Sequence, residues 1–325
     1  MHTNGNFLTL FLTLVALFSS TISALDFVSL LAPGGSLILP ASANSTTGSL
    51  SVKGASLYYE TYGTGPLLLF ISGANGDAEI WRPIAKTLAT NYTVAIYDRR
   101  GFSRSYLAPT AIQNYTTRLE TDASDASALI DHLAPGGNAT VLGTSSGAIV
   151  ALQLLQSHPK KLKTLIAHEP PLLTILPDAA NLTLAQQQIY TVYRAAGIPA
   201  ALYAFSLSYD GTAPKLGGNA VPGFTVDSRE NAYAAGNWQY WFERELMQYP
   251  LHEVNVTNVG LYREKLVLAN GNETKEVDPQ WRSNAVLGEK LGLDVVSLAG
   301  QHTGYAGETM AAFAEDLLGM LAKRA

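Results

Sequence analysis

Short apolar runs alternate with longer amphipathic ones from residue 51 to residue 169. Ser51-Val52 and Ser56 to Tyr62 flank Lys53-Gly54, a pairing that predicts a hairpin. Leu67 to Ser72 (LLLFIS) is the continuous apolar run of a strand buried on both faces. Helical spacing over Ala78 to Thr90, Thr117 to Leu133 and Ser146 to Ser157 is interleaved with strand-like Thr93 to Tyr97, Thr140 to Leu142 and Leu162 to Ala167. Such alternation predicts the α/β class, a mostly parallel central sheet with helices on both faces. From Pro170 to about Arg263 the rhythm stops. Helix-length segments rich in Ala, Leu, Tyr and Trp are separated there by Pro and Gly loops such as Gly211 to Phe224. It resumes with the strand Lys265 to Ala269, a helix Asp278 to Leu291, the strand Asp294 to Leu298 and an amphipathic helix Gly307 to Arg324. The pattern predicts a core in two parts, residues 25–169 and 264–325, around a mainly helical insertion over 170–263.

Composition narrows the chemistry. A chain of 325 residues with 47% hydrophobic and 14% charged residues can bury a full core, which excludes a disordered or disulfide-stapled protein. A net charge of −5 supplies no basic footprint for nucleic acid. With no cysteine there is neither a thiol nucleophile nor a thiolate metal site, and no motif calls for a metal or cofactor. Any reaction must use oxygen, nitrogen and carboxylate groups.

The amino-terminal end carries an address. Phe7 to Phe18 is an uncharged, mainly apolar run of the length of a secretory signal's hydrophobic segment, short of the roughly 20 residues a membrane span needs. A signal peptide over residues 1–24 is expected, with no stable membrane anchor. Seven N-x-Ser/Thr sequons, at Asn44, Asn91, Asn114, Asn138, Asn181, Asn255 and Asn272, point the same way, to a secreted glycoprotein. Ala41 to Leu50 reads as a polar lead-in to the ordered chain.

Gly143-Thr144-Ser145-Ser146-Gly147 lies between an apolar strand end and a helix. That context fits a sharp turn lifting the Ser145 hydroxyl out of the sheet, with the Ser146 N–H pointing where an oxyanion would form. On this motif and its context the chain resembles the α/β-hydrolase superfamily over almost everything after residue 49. Two more segments carry the resemblance. Ser72-Gly73-Ala74-Asn75-Gly76 follows the buried strand where the family has its His-Gly oxyanion loop, with Ser72 in place of His. Asp98-Arg99-Arg100-Gly101-Phe102-Ser103-Arg104-Ser105 looks like the family's D-x-R-G-x-G-x-S turn, with Ser103 for the second glycine.

The resemblance implies Ser145 as nucleophile, Ala74 as second oxyanion donor, and as base the histidine after the last strand, His302. It leaves two candidates for the acid. Glu169, in His168-Glu169-Pro170-Pro171, matches a segment of zearalenone-hydrolysing lactonases and is preferred; Glu273, after the strand that follows the insertion, is the alternative. By the same resemblance the insertion is a cap, in which Trp238, Trp241 and Phe242 offer aromatic surface to a substrate. The implied function is a secreted serine hydrolase of a medium-sized carboxylic ester or lactone. A lyase or cofactor-free peroxidase-like activity on the same fold, and a non-catalytic binding member, are the alternatives.

Overall fold

The computed structural model describes residues 45–209 and 231–324. The expected signal segment, Asn44 and the loop from Gly211 to Phe224 lie outside the described residues. Among these, eight strands form one sheet: β1 (Ser45–Val52), β2 (Ala55–Tyr62), β3 (Leu67–Ile71), β4 (Thr93–Tyr97), β5 (Ala139–Thr144), β6 (Leu162–His168), β7 (Leu266–Gly271) and β8 (Val295–Leu298). Their order is β1-β2-β4-β3-β5-β6-β7-β8. β2 pairs antiparallel with β1 and β4, and every other pairing is parallel.

Strand alternation divides the core in two. Leu68 and Phe70 of β3 pack with Ile84 and Leu88 of α1 (Arg82–Leu88) and with Phe313 and Leu317 of α8 (Met310–Ala322). On the opposite face Leu67, Leu69 and Ile71 join Leu129 of α2 (Arg118–Leu133), Leu155 of α3 (Ser146–Ser157) and Leu287 of α7 (Pro279–Leu291). A run such as LLLFI is apolar throughout because both its faces are covered, each buried side chain contributing about 1.5–3 kcal/mol.

Two expected boundaries shift for local reasons. The stretch read as a polar lead-in is in large part strand, since β1 starts at Ser45 and pairs with β2 along its whole length. It is an edge strand with a largely exposed pattern, held by backbone bonds and by hydroxyl pairs such as Thr46 with Thr61 at 2.5 Å, so no apolar alternation announced it. The helix expected from Ala78 opens as a 3₁₀ turn and becomes α-helical only at Arg82. Two side-chain carboxylates take the leading N–H groups there: Ala78 N–H donates to Asp98 Oδ1 at 2.8 Å, and Glu79 N–H to Asp77 Oδ1 at 2.7 Å.

Between β6 and β7 the chain forms α4 (Ala179–Tyr209), α5 (Ala234–Arg244) and α6 (Val256–Gly260). α4 is broken at Gly197, whose φ of 81° and ψ of −175° are not helical, and Pro199 follows in the first turn of the second half. Ile189, Ala201 and Leu202 of α4 pack with Trp238, Trp241 and Phe242 of α5 and with Leu246 and Phe102 in a third apolar cluster. No helix among the described residues is long and apolar enough to cross a membrane.

Candidate active site

β5 delivers Ser145 by a bend that few side chains tolerate. Ser145 adopts φ 54° and ψ −127° at the junction with α3, and its N–H is fastened to the His168 carbonyl at 3.0 Å. Close approach explains the flanking glycines: a Cβ on Gly147 would stand 2.3 Å from the Ile71 carbonyl oxygen, and one on Gly143 would stand 2.3 Å from that of Gly147. Ser146 opens α3, so its N–H is one of the helix's leading donors without an intrahelical partner.

β6 ends level with β5, His168 pairing with Thr144, and presents Glu169, also in left-handed backbone at φ 48° and fully buried. Its Oε1 accepts the Gly271 N–H at 2.8 Å, and its Oε2 accepts His302 Nδ1–H at 2.6 Å. Burial raises the proton affinity of this carboxyl, but the hydrogen bond from His302 and the fields of His168 and His302 outweigh it and hold the group at about 2. An ionised carboxylate on Nδ1 makes that nitrogen the donor and leaves Nε2 as the basic one. His302 and Ser145 wall the same cavity, with Gly73, Ala74 and Tyr305 among its other lining residues.

The two departures from the family pattern are both put to use. Ser72 Oγ–H donates to the Asp77 carbonyl at 2.8 Å and accepts Trp81 Nε1–H at 2.9 Å, so a buried hydroxyl ties down the loop in which a histidine is usual. Ser103, at φ 44°, donates its N–H to Asn237 Oδ1 at 2.8 Å and its hydroxyl to Asp77 Oδ2 at 2.6 Å, linking the insertion to a residue that lines the cavity.

Of the two candidate acids, the fold brings Glu169 to His302; Glu273 is exposed, with its N–H on the Gly300 carbonyl at 3.0 Å. Trp238, Trp241 and Phe242, expected at the substrate, are instead buried in the insertion's own cluster, and none of the three is among the residues lining the cavity. Their spacing of three and four residues lays them along one stripe of α5, and that stripe faces inward.

Two features went unread in the sequence. His168 is fully buried beside the pair, its ring stacked at 6.2 Å and 20° on that of His302, with Nδ1 at 3.1 Å from Thr144 Oγ1 and Nε2 without a partner among the described residues. Burial pulls it down to about 4, against the Glu169 carboxylate, so it is neutral near pH 7. The other is a buried charge cluster in which Arg99 and Arg118 meet Asp122 and, from the insertion, Glu245. Two adjacent arginines, Arg99 and Arg100, in the turn after an apolar strand were its one visible mark.

Comparisons with known proteins bear on the family and the fold. The family model described as the alpha/beta hydrolase fold matches residues 66–200. A Bacillus subtilis (strain 168) protein named "Uncharacterized hydrolase YraK" is 34% identical over 266 residues, covering 79% of this chain and 90% of that one. The chain belongs to the α/β-hydrolase family. A zearalenone hydrolase from Bionectria ochroleuca is similar to this hydrolase over a shorter stretch, 31% identical across 120 residues, 37% of this chain and 45% of that one. Among solved structures, a hydrolase from Pseudomonas aeruginosa PA01 superposes with a TM-score of 0.63 at 20% identity, covering 85% of this chain and 98% of that one. At that identity the likeness concerns the fold alone.

Proposed function

We propose that this hydrolase cleaves a carboxylic ester or lactone through an acyl-enzyme on Ser145, with His302 as general base and Glu169 as the acid that orients it. One observation carries the reading: an ionised Glu169 accepts His302 Nδ1–H at 2.6 Å while the same imidazole and Ser145 wall one cavity. Nε2 of His302 takes the Ser145 proton as Oγ attacks the carbonyl carbon, and the carboxylate stabilises the imidazolium that forms. The Ser146 and Ala74 N–H groups receive the oxyanion, each worth on the order of 10²- to 10³-fold in rate. The imidazolium returns its proton to the leaving alkoxide, and water, deprotonated by the same ring, releases the acid.

The substrate that fits this reading is a carboxylic ester or lactone of medium size. The partial likeness to zearalenone hydrolase favours a lactone as the second reading. A panel of p-nitrophenyl esters from acetate to octanoate, with lactones alongside, tests both. Turnover of at least one member is expected, Ser145→Ala is expected to abolish it, and a fluorophosphonate to label Ser145 in the wild type only. A wild-type protein that is neither labelled nor active on any member overturns the proposal.

A further inference from the structure

Solvent exposure sorts the asparagines of this chain by their sequence context. Among the described residues Asn91, Asn114, Asn138, Asn181, Asn255 and Asn272, each followed two positions on by threonine, are all exposed. Asn75, Asn231, Asn237, Asn270 and Asn284 are buried and Asn258 is half-buried, and none of these has serine or threonine at that position. Burial knows nothing of the residue two places along, so accidental sequons would not divide this way.

The amide nitrogen supplies a second, independent mark. Oδ1 of Asn91, Asn114, Asn255 and Asn272 accepts a hydrogen bond, from Thr90 Oγ1, Thr116 N–H, Asn258 N–H and Gly300 N–H, at 2.9, 3.1, 2.9 and 2.9 Å. None of the six sequon asparagines donates from Nδ2 to a described residue. By contrast Asn231, Asn237, Asn270 and Asn284 donate from Nδ2 to Asp77, Ser103, the Trp281 carbonyl and the Ala167 carbonyl. The atom that a glycan occupies is thus left open at the six exposed sites and used for packing at four of the others.

We infer that Asn91, Asn114, Asn138, Asn181, Asn255 and Asn272 carry N-linked oligosaccharides, acquired on a secretory route. At each site Nδ2 forms a bond to the anomeric carbon of an N-acetylglucosamine-led oligosaccharide. That carbon's bond to its polyprenyl pyrophosphate donor breaks, the pyrophosphate oxygen leaves with the electron pair, and one amide proton passes to a base of the transferase. Asn91 and Asn138 precede β4 and β5, at the ends of those strands away from Ser145. Asn272 is placed differently: its side chain holds Gly300, on the loop that carries His302, so a glycan there stands beside the catalytic loop.

The full chain, expressed in a eukaryotic secretory host, is treated with peptide N-glycosidase F in heavy-oxygen water, which leaves a labelled aspartate wherever a glycan was, and is mapped by peptide mass spectrometry. Label at more than half of the six, and at none of the other six described asparagines, is expected. Label at half of them or fewer, or at any buried asparagine, overturns the inference, whether the protein is recovered from the medium or from the cells.

A different observation concerns the loop opposite Ser145. Arg99 is fully buried; its Nη2–H donates to the Gly73 carbonyl at 2.8 Å and to Glu245 Oε2 at 2.7 Å, and its Nη1–H donates to Glu245 Oε1 at 2.8 Å. Gly76 N–H reaches the same Gly73 oxygen at 3.1 Å. In a trans peptide the carbonyl and the following N–H point in opposite directions, so donors that hold Gly73 O on one side hold Ala74 N–H on the other. Gly73 itself lies against Ser145, where a Cβ would be 2.8 Å from that of the serine.

We propose that Arg99, clamped by Glu245 of the insertion, is a positioning residue that aims the Ala74 N–H at the oxyanion. The insertion then takes part in catalysis as well as in substrate choice. This rests on the serine-hydrolase reading, and an inactive wild type would sink that reading rather than this one. The isosteric Glu245→Gln is expected to lower kcat about tenfold and to weaken a boronic acid that mimics the tetrahedral state by the same factor, with KM within about twofold. Arg99→Lys, which keeps the charge but loses the second donor, serves in its place if the first variant does not fold. Unchanged kcat and boronate affinity in a folded variant, or kcat and KM moving together, overturns the clamp.

Discussion

Ser145 and Glu169 are non-glycine residues held in left-handed backbone at the ends of adjacent strands, at φ 54° and 48°. Each such position costs about 1–3 kcal/mol and persists only where its surroundings impose it. Here the two bends present side chains from neighbouring strand ends, Glu169 to His302 and Ser145 to the cavity that His302 also walls. Replacing Glu169 by Gln keeps the shape and removes the charge that supports the imidazolium, so kcat is expected to fall by about 10²- to 10⁴-fold, whereas Glu273→Gln is expected to stay within about twofold. Steady-state kinetics on one ester compares the two directly, and equal losses would leave the acid unassigned to either. His168 makes a separate, pH-dependent contribution to stability. Its imidazole titrates near 6.5 when unfolded and near 4 when folded, so between those values the unfolded chain holds the extra proton and stability rises with pH. The stability of the wild type relative to His168→Gln is therefore expected to grow from pH 4 to 6.5, by at most on the order of 3 kcal/mol, and to be flat above. Urea midpoints of both proteins read this difference, in which the other titrating groups cancel; parallel curves would mean that the ring is not kept neutral.

At the scale of elements, the junction of β5 and α3 fits only because Gly147 lets the helix start pass within reach of the Ile71 and Ser72 carbonyl oxygens, 2.3 and 2.5 Å from where a Cβ would be. Both obstacles are backbone and cannot swing aside. Gly147→Ala is expected to cost at least about 2 kcal/mol and to lower activity with it, measured by thermal melting and ester hydrolysis. A variant as stable and active as the wild type would mean that the bend has slack. Elements with strong apolar periodicity, β3, β4, α2 and α3, were legible from the chain because covered faces demand apolar residues at fixed intervals. Of β1 only Ser51-Val52, its end at the hairpin, was legible, since an edge strand rich in serine and threonine is held by backbone pairing rather than by burial. On α5 the aromatic stripe was visible, but periodicity gives the stripe and not the direction it faces.

Across the whole molecule, the insertion has an apolar cluster of its own yet is joined to the sheet through charges that have left water, with Arg99 and Arg118 on one side and Glu245 on the other. Breaking such a contact leaves an unpaired buried charge, at a cost of about 3–5 kcal/mol, so the two parts are expected to unfold together. Tryptophan fluorescence, in which Trp238 and Trp241 report on the insertion, and far-ultraviolet circular dichroism are expected to give coincident urea transitions; an earlier fluorescence transition would make the insertion a separate unit. The α/β class and the strand–turn–helix around Ser145 could be read from the sequence, because periodicity and turn chemistry are properties of neighbouring residues; the histidine loop after the last strand was pointed out by the family resemblance. The meeting of Glu169, and not Glu273, with His302, the inward turn of the α5 aromatics and the meeting of Arg99 with Glu245, 146 residues apart, came only with the folded chain. Each depends on which groups lose their water together, and that is settled only when distant segments pack.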